Sequence, residues 1–357
     1  MMTAFALVFF CGKLLAPNPD AIPNEKQVNK RTIMPLLPIT TKDVRNAEQN
    51  IKGITVVTPL LENQTVNELL GGRLLIKAEN LQLTGAFKIR GAYNRLFYMS
   101  EKEQKNGVIA YSSGNHALGL AFAAKAYGCN ATIVMPSDAP KDKVIAVNTA
   151  GAEVIFYDRD TEKSSDLIEK IISQTGKVEV PPSAHPLVLA GSGTAATEMF
   201  DEFQDKIDKI LVPCGGGGLT ASTAIVASQI SSETEVYAVE PEGFDDTFRS
   251  LALGIPTPNE IGNKTICDSI MTPMPNDFTF SINRQLLSGG LVVSDESVQR
   301  AMAFCFHHFK LVCEPGGVVG VAAVLENPSL IKKHTVATYI TGGNIDQKRF
   351  SDLINTC

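Results

Sequence analysis

The seven cysteines contain no CxxC pair; they stand at Cys11, Cys129, Cys214, Cys267, Cys305, Cys313 and Cys357. That scatter excludes a zinc-ribbon framework, and an odd, unpaired set of thiols suits a reducing compartment, so a cytoplasmic location is expected. HEXXH, GXSXG and P-loop patterns are also missing, which removes the commonest metalloprotease, hydrolase and NTPase routes. Basic excess is lacking as well: 32 Lys plus Arg stand against 38 Asp plus Glu, a net charge of −6. No nucleic-acid partner is therefore expected, although backbone amides can still hold a small phosphate. No tandem repeat interrupts the chain. The apolar start, MMTAFALVFFCGKLLAP, is too short to span a bilayer and has no basic residue before it, so neither membrane nor signal peptide is expected.

What remains is a chain of 357 residues, 44% apolar and 20% charged, which is a globular balance at a length that favours two packed units. Residues 1–39 read as a poorly ordered N-terminal extension, with Met34 a candidate translation start. From Thr41 the run TKDVRNAEQNIKG reads as a capped helix with Val44, Ala47 and Ile51 on one face. Short apolar strands then alternate with helices: GVIAYSS, ATIVMP, AEVIFYD, KILVPC, EVYAVEP and TVATYITGG are the strands. HALGLAFAAKAYG, TEKSSDLIEKIISQ, TAATEMFDEFQ and SVQRAMAFCFHHFK are helices between them. This alternation predicts an α/β architecture with mostly parallel sheets. Residues 107–183 read as an inserted smaller α/β domain carrying three of the strands. Residues 40–106 and 184–357 then form one larger domain, and the cleft between the two is the expected ligand site.

Several loops at strand ends have chemical potential. KILVPCGGGGLTAS places Gly215, Gly216, Gly217 and Gly218 between a strand and a helix, where successive amides can cradle a phosphate. YSSGNHALG sets Ser112, Ser113, Gly114 and Asn115 at a helix start, an arrangement that suits a carboxylate but also an ordinary cap. His116 is a weaker candidate base. In LQLTGAFKIRGAYN, Lys88 lies between Phe87 and Ile89; alone it reads as a solvated lysine, but beside a phosphate loop it becomes a candidate Schiff-base amine. VEPEGFDD offers Glu240 and Asp246 as hard oxygen ligands to Mg²⁺ or Ca²⁺, or simply as a solvated acidic loop. VCEPGG with Glu314 and YITGGN with Thr341 have the form of ligand-facing strand ends.

Taken in order, TGAFKIRGA, SSGNHALG, PCGGGGL, VEP…DD and TGGN resemble the serine/threonine dehydratases of the fold-type II pyridoxal-phosphate enzymes, the threonine ammonia-lyase and serine racemase group. The resemblance covers about residues 40–352. It implies two open, mostly parallel α/β domains of the tryptophan synthase beta-like kind, with pyridoxal 5'-phosphate in the interdomain cleft. By motif, Lys88 is similar to the lysine that carries the cofactor and moves the substrate α-proton. Phe87 would pack beside the ring, Asn115 would meet its 3-hydroxyl, and the 112–116 loop would hold the substrate carboxylate. Gly215 to Gly218 with Leu219 would hold the phosphate, Glu314 would line the cofactor site, and Thr341 would face the pyridine nitrogen. Glu240, the Phe244 carbonyl and Asp246 resemble a Mg²⁺ (or Ca²⁺ or Mn²⁺) loop. Ser113 matches the opposite-face base of the racemases.

Three departures stand out: TGAFK where relatives usually read TGSFK, Ser192 in LAGSGT where they read AGQGT, and CDS at 267–269 where they read ADG. Ser269 thus replaces a cofactor-side glycine. The expected activity is β-elimination and deamination of L-threonine or L-serine to a 2-oxo acid and ammonia by a homodimer. Neither a C-terminal regulatory domain nor feedback control is expected, and a catabolic role is. The alternatives are serine racemisation, dehydration of 3-hydroxyaspartate or a hydroxyectoine-pathway compound, and a silent amino acid sensor.

Overall fold

The computed structural model describes residues 37–139, 141–158 and 160–355. The extension and the Met34 start therefore lie outside, or almost wholly outside, the described residues.

Among the described residues, ten strands form two sheets. They are β1 (Leu60–Glu62), β2 (Arg73–Lys77), β3 (Val108–Tyr111), β4 (Ala131–Pro136), β5 (Glu153–Tyr157), β6 (Val178–Glu179), β7 (Lys209–Pro213), β8 (Glu235–Pro241), β9 (Gly289–Val293) and β10 (Thr335–Tyr339). The larger sheet runs β1-β2-β10-β7-β8-β9 and the smaller β5-β4-β3-β6. Only the edge strand β1 is antiparallel to its neighbour. Parallel strands covered by helices on both faces need apolar side chains on both faces. The sequence supplies them: all six residues of β4 are buried, as are Ile210, Leu211 and Val212 of β7.

The first helix, Thr41–Ile51, is started by a Thr40–Asp43 capping box and buries Val44, Ala47 and Ile51, as the periodicity predicts. The helix read from TAATEMFDEFQ begins earlier, at Pro186, with the His185 side chain accepting from the Leu187 amide. Its hidden first turns contain Gly191 and Gly193, which weaken helix propensity and mask the pattern. Gly191 is there for contact: a Cβ on it would stand 2.4 Å from the Arg90 carbonyl oxygen. That close approach presses this helix against the helix Lys88–Phe97. The small sheet also holds a fourth strand, β6, too short to show alternation.

Candidate active site

Ligands of open α/β sheets sit where parallel strands end and helices begin, and here loops from both sheets converge at such ends. Lys88 is the first residue of the helix Lys88–Phe97. Its loop is stitched to the end of β10: the Phe87 amide donates to the Thr341 carbonyl (3.2 Å), the Gly343 amide donates to the Gly85 carbonyl (2.9 Å), and Ala86 bridges Gly342. The Glu314 amide donates to the Gly342 carbonyl (3.1 Å) and the Thr341 amide to the Gly317 carbonyl (3.2 Å). Three of the sequence-predicted segments, around Lys88, Glu314 and Thr341, thus form one layer.

From the other side comes the helix Asn115–Tyr127, following β3. Gly119 lets it approach closely: a Cβ there would lie 3.0 Å from the Ile89 nitrogen and 3.2 Å from the Lys88 carbonyl carbon. Asn115 Nδ2 donates to Glu314 Oε1 (2.6 Å), and Asn344 Nδ2 donates to Asn115 Oδ1 (2.8 Å). Ser113 is half-buried in the loop before this helix, and Ser112 Oγ accepts from the Gly114 amide (3.2 Å). His116 is buried with Nε2 at 2.7 Å from the Val180 carbonyl. Burial, aided by the Lys88 charge, pushes its pKa down to about 4, so it carries no positive charge near neutrality.

The Lys88 amine donates to the Pro182 carbonyl (2.9 Å) and lies 4.9 Å from the centre of the Phe87 ring. Although part of the side chain is open to the cleft, the surrounding protein desolvates the amine and pulls its pKa from 10.5 to about 8. Removing water disfavours the charged form, and no carboxylate among the described residues forms an ion pair with it.

The glycine run leaves β7 and starts the helix Gly218–Ile230, with Gly217 at φ +74°. Added Cβ atoms would collide at three of the four glycines: Gly216 with Ser183 Oγ (2.9 Å), Gly217 with Asn283 Nδ2 (2.7 Å), and Gly218 with Ser183 Cβ (2.7 Å). Thr279 Oγ1 donates to the Gly216 carbonyl (2.8 Å) and Asn283 Nδ2 to the Gly217 carbonyl (3.2 Å). With those carbonyls engaged on one side, the first-turn amides of the helix have the form of an end that can hold an anion. Thr279, Asn283 and Ser183 were not foreseen; nothing in their local sequence distinguishes them from a helix cap or a linker serine.

Glu240 ends β8 and caps the next helix, accepting from the Thr247 amide (3.0 Å) and the Phe248 amide (2.8 Å). Asp246 accepts from Asn259 Nδ2 (2.8 Å), and Phe244 is buried in the turn between the two acids. Burial, reinforced by Asp246, raises Glu240 to about 8; burial raises Asp246 to about 6. Among the described residues, no group of three or more His, Cys, Asp or Glu stands as a metal cluster. A separate groove of about 710 Å³, whose lining includes Glu48, Lys52, Glu198, Asp201 and Glu202, contains none of the predicted site residues.

A desolvated lysine on the Pro182 carbonyl, with the next residue, Ser183, packed against a glycine-rich helix start, is what a phosphorylated aldehyde cofactor requires. A family of proteins described as pyridoxal-phosphate dependent enzymes matches residues 51–342. The chain belongs to that family. It binds pyridoxal phosphate, is an enzyme, and has the fold-type II architecture with the cofactor site at the domain interface. It is 40% identical over 316 residues to an L-threo-3-hydroxyaspartate ammonia-lyase of Pseudomonas sp., covering 87% of this chain and 97% of the relative. It is 38% identical over 317 residues to an L-threonine ammonia-lyase of Thermotoga maritima, covering 89% and 78%. Its structure is similar to that of a serine racemase from Dictyostelium discoideum, with TM-score 0.81, 36% identity, and 87% and 99% of the two chains covered. None of the helices among the described residues is long and apolar enough to cross a membrane.

Proposed function

We propose that this enzyme is an ammonia-lyase that removes the β-hydroxyl and the amino group of a small hydroxy amino acid, L-threonine or L-serine, giving a 2-oxo acid and ammonia. The observation that carries this reading is the Lys88 amine, held on the Pro182 carbonyl, drawn down to about 8 by burial and with no carboxylate partner among the described residues. An amine of that pKa alternates between proton acceptor and donor near neutral pH, as a group acting on an α-proton must. When bound, pyridoxal phosphate supplies the electron sink that makes that proton removable. The site residues fit the group: the first-turn amides at Gly215–Leu219 would take the phosphate, Phe87 would pack against the ring, and Asn115 would meet its hydroxyl. Thr341, buried and neutral, would offer the ring nitrogen a hydroxyl and so do little to protonate it. Ser112, Ser113 and the helix start at Asn115 receive the substrate carboxylate. Proton transfer at one amine needs no histidine, in keeping with a buried His116 that stays uncharged near neutrality.

Ser113 supports a second reading, in which a proton is also delivered to the opposite face and L-serine is racemised; the likeness to a serine racemase agrees with it. The 40% identity to an L-threo-3-hydroxyaspartate ammonia-lyase makes that compound the other substrate to test. At Glu240, the Phe244 carbonyl and Asp246, two buried acids with raised pKa values offer the hard oxygens that Mg²⁺ prefers, and a cation there is part of the proposal. Homodimerisation and a cytoplasmic location belong to it as well. The deciding experiment is a panel of L-threonine, L-serine and both 3-hydroxyaspartate diastereomers scored for 2-oxo acid. L-threonine or L-serine should turn over fastest. Cofactor binding with no 2-oxo acid from any of them would leave the silent-sensor reading in its place.

A further inference from the structure

An asparagine carboxamide is nearly symmetric in shape but not in chemistry, so a site that depends on its N–H must hold it against a flip. Asn115 is held at both ends. Its Oδ1 accepts from Asn344 Nδ2, whose amide also donates to the Thr84 carbonyl (2.9 Å). Its Nδ2 donates to Glu314. Reversing the amide would set oxygen against carboxylate oxygen and nitrogen against nitrogen. One hydrogen on Nδ2 is left for a ligand.

Glu314 in turn has to be held. Its side chain is buried, its own amide donates to the Gly342 carbonyl, and a Cβ on Gly342 would come within 2.2 Å of its Oε1.

We propose that Asn344 and Glu314 are positioning residues that act through Asn115: together they fix its carboxamide with the free N–H toward the ring oxygen of the cofactor. This rests on the reading that Asn115 meets that oxygen. Each link is one hydrogen bond, worth about 1 kcal/mol, or roughly fivefold in an equilibrium constant.

The test uses the full-length apo-protein titrated with pyridoxal phosphate, following the visible band and the dissociation constant. Asn344→Ala, at an exposed position, should keep the wild-type circular dichroism and melting point, weaken cofactor affinity about fivefold and displace the band maximum. Glu314→Gln, which still accepts from Asn115, should weaken binding less than Glu314→Ala. In the Asn344→Ala/Asn115→Ala double variant the two effects should not add, because Asn344 acts only through Asn115. Additive effects, or an Asn344→Ala protein with unchanged affinity and band, would overturn the inference. A wild-type protein that shows no visible band and retains no cofactor on borohydride treatment would instead remove the parent reading.

Discussion

Lys88 and Arg90 are two residues apart at the start of one helix, and the protein treats their charges in opposite ways. Arg90 is fully buried, donating to both oxygens of Glu79 (2.8 Å each), to both of Glu198 (2.6 and 2.8 Å), to Thr194 and to the Val56 carbonyl. Lys77 adds a second buried cation on Glu198 at 2.7 Å. The result is a closed set in which every charge has a partner. Lys88, on the cleft side, has a carbonyl and an aromatic face instead. Burial lowers the pKa of an amine and raises that of a carboxyl unless an opposite charge intervenes. The same rule separates the two buried glutamates. Burial pushes Glu79 up, but Arg90 and Lys77 overcome it and hold the acid below the usual carboxylate range. Glu314, with burial as its largest influence and Asn115 and Ser269 as neutral partners, is raised to about 7. One side of the helix locks charge to build the fold; the other leaves protons movable.

Removing the Lys88 amine gives the largest expected effect. Lys88→Ala should lower 2-oxo acid formation by about 10⁴-fold or more while leaving the melting point nearly unchanged. A large loss of stability in that variant would erase the contrast with Arg90. Ser113→Ala is the next step: racemisation of L-serine, where present, should be lost while elimination persists, and chiral analysis of recovered serine measures it. If both activities survive, the assigned role fails. Glu79→Ala should do the reverse of Lys88→Ala. It strands Arg90 in the interior and should cost about 3–5 kcal/mol in denaturant unfolding.

The fold was legible where local pattern and burial coincide. ATIVMP and EVYAVEP have the bounds of β4 and β8, because strands buried on both faces are written as continuous apolar runs. β9 and β6 were not legible: GGLVV opens with two glycines and VE has two residues, so pairing with neighbours alone defines them. At the site, loops rich in glycine announce themselves because few other residues tolerate such close approach. The contacts that shape them do not. Arg90, Glu79 and Glu198 lie far apart in the chain and look like surface charges until the fold places them together; the same holds for Thr279 and Asn283 behind the glycine run.

The acids also differ in the sign of their pH dependence, which a titration of stability can read. Glu79, lowered in the fold, contributes stability above its unfolded pKa of 4.5 that is lost as the pH falls through its folded value. Glu314, raised to about 7, contributes stability below 4.5 that is lost as the pH climbs from 4.5 to 7, because the unfolded chain releases its proton first. Glu314→Gln should therefore flatten the decline in melting point over that window, and an unchanged slope would show that the carboxyl is not raised. The smallest effect expected is that of a cation at Glu240 and Asp246. Two acids that resist ionising together gain from a divalent ion that favours their charged forms. Millimolar Mg²⁺ added to chelator-treated protein should stabilise it by about 1–3 kcal/mol at pH 8, and by less at pH 5, where protons compete for the same oxygens. Melting curves at the two pH values, repeated with Glu240→Gln, measure this; indifference to Mg²⁺ at both would assign the pair to capping the helix Asp246–Leu253 alone.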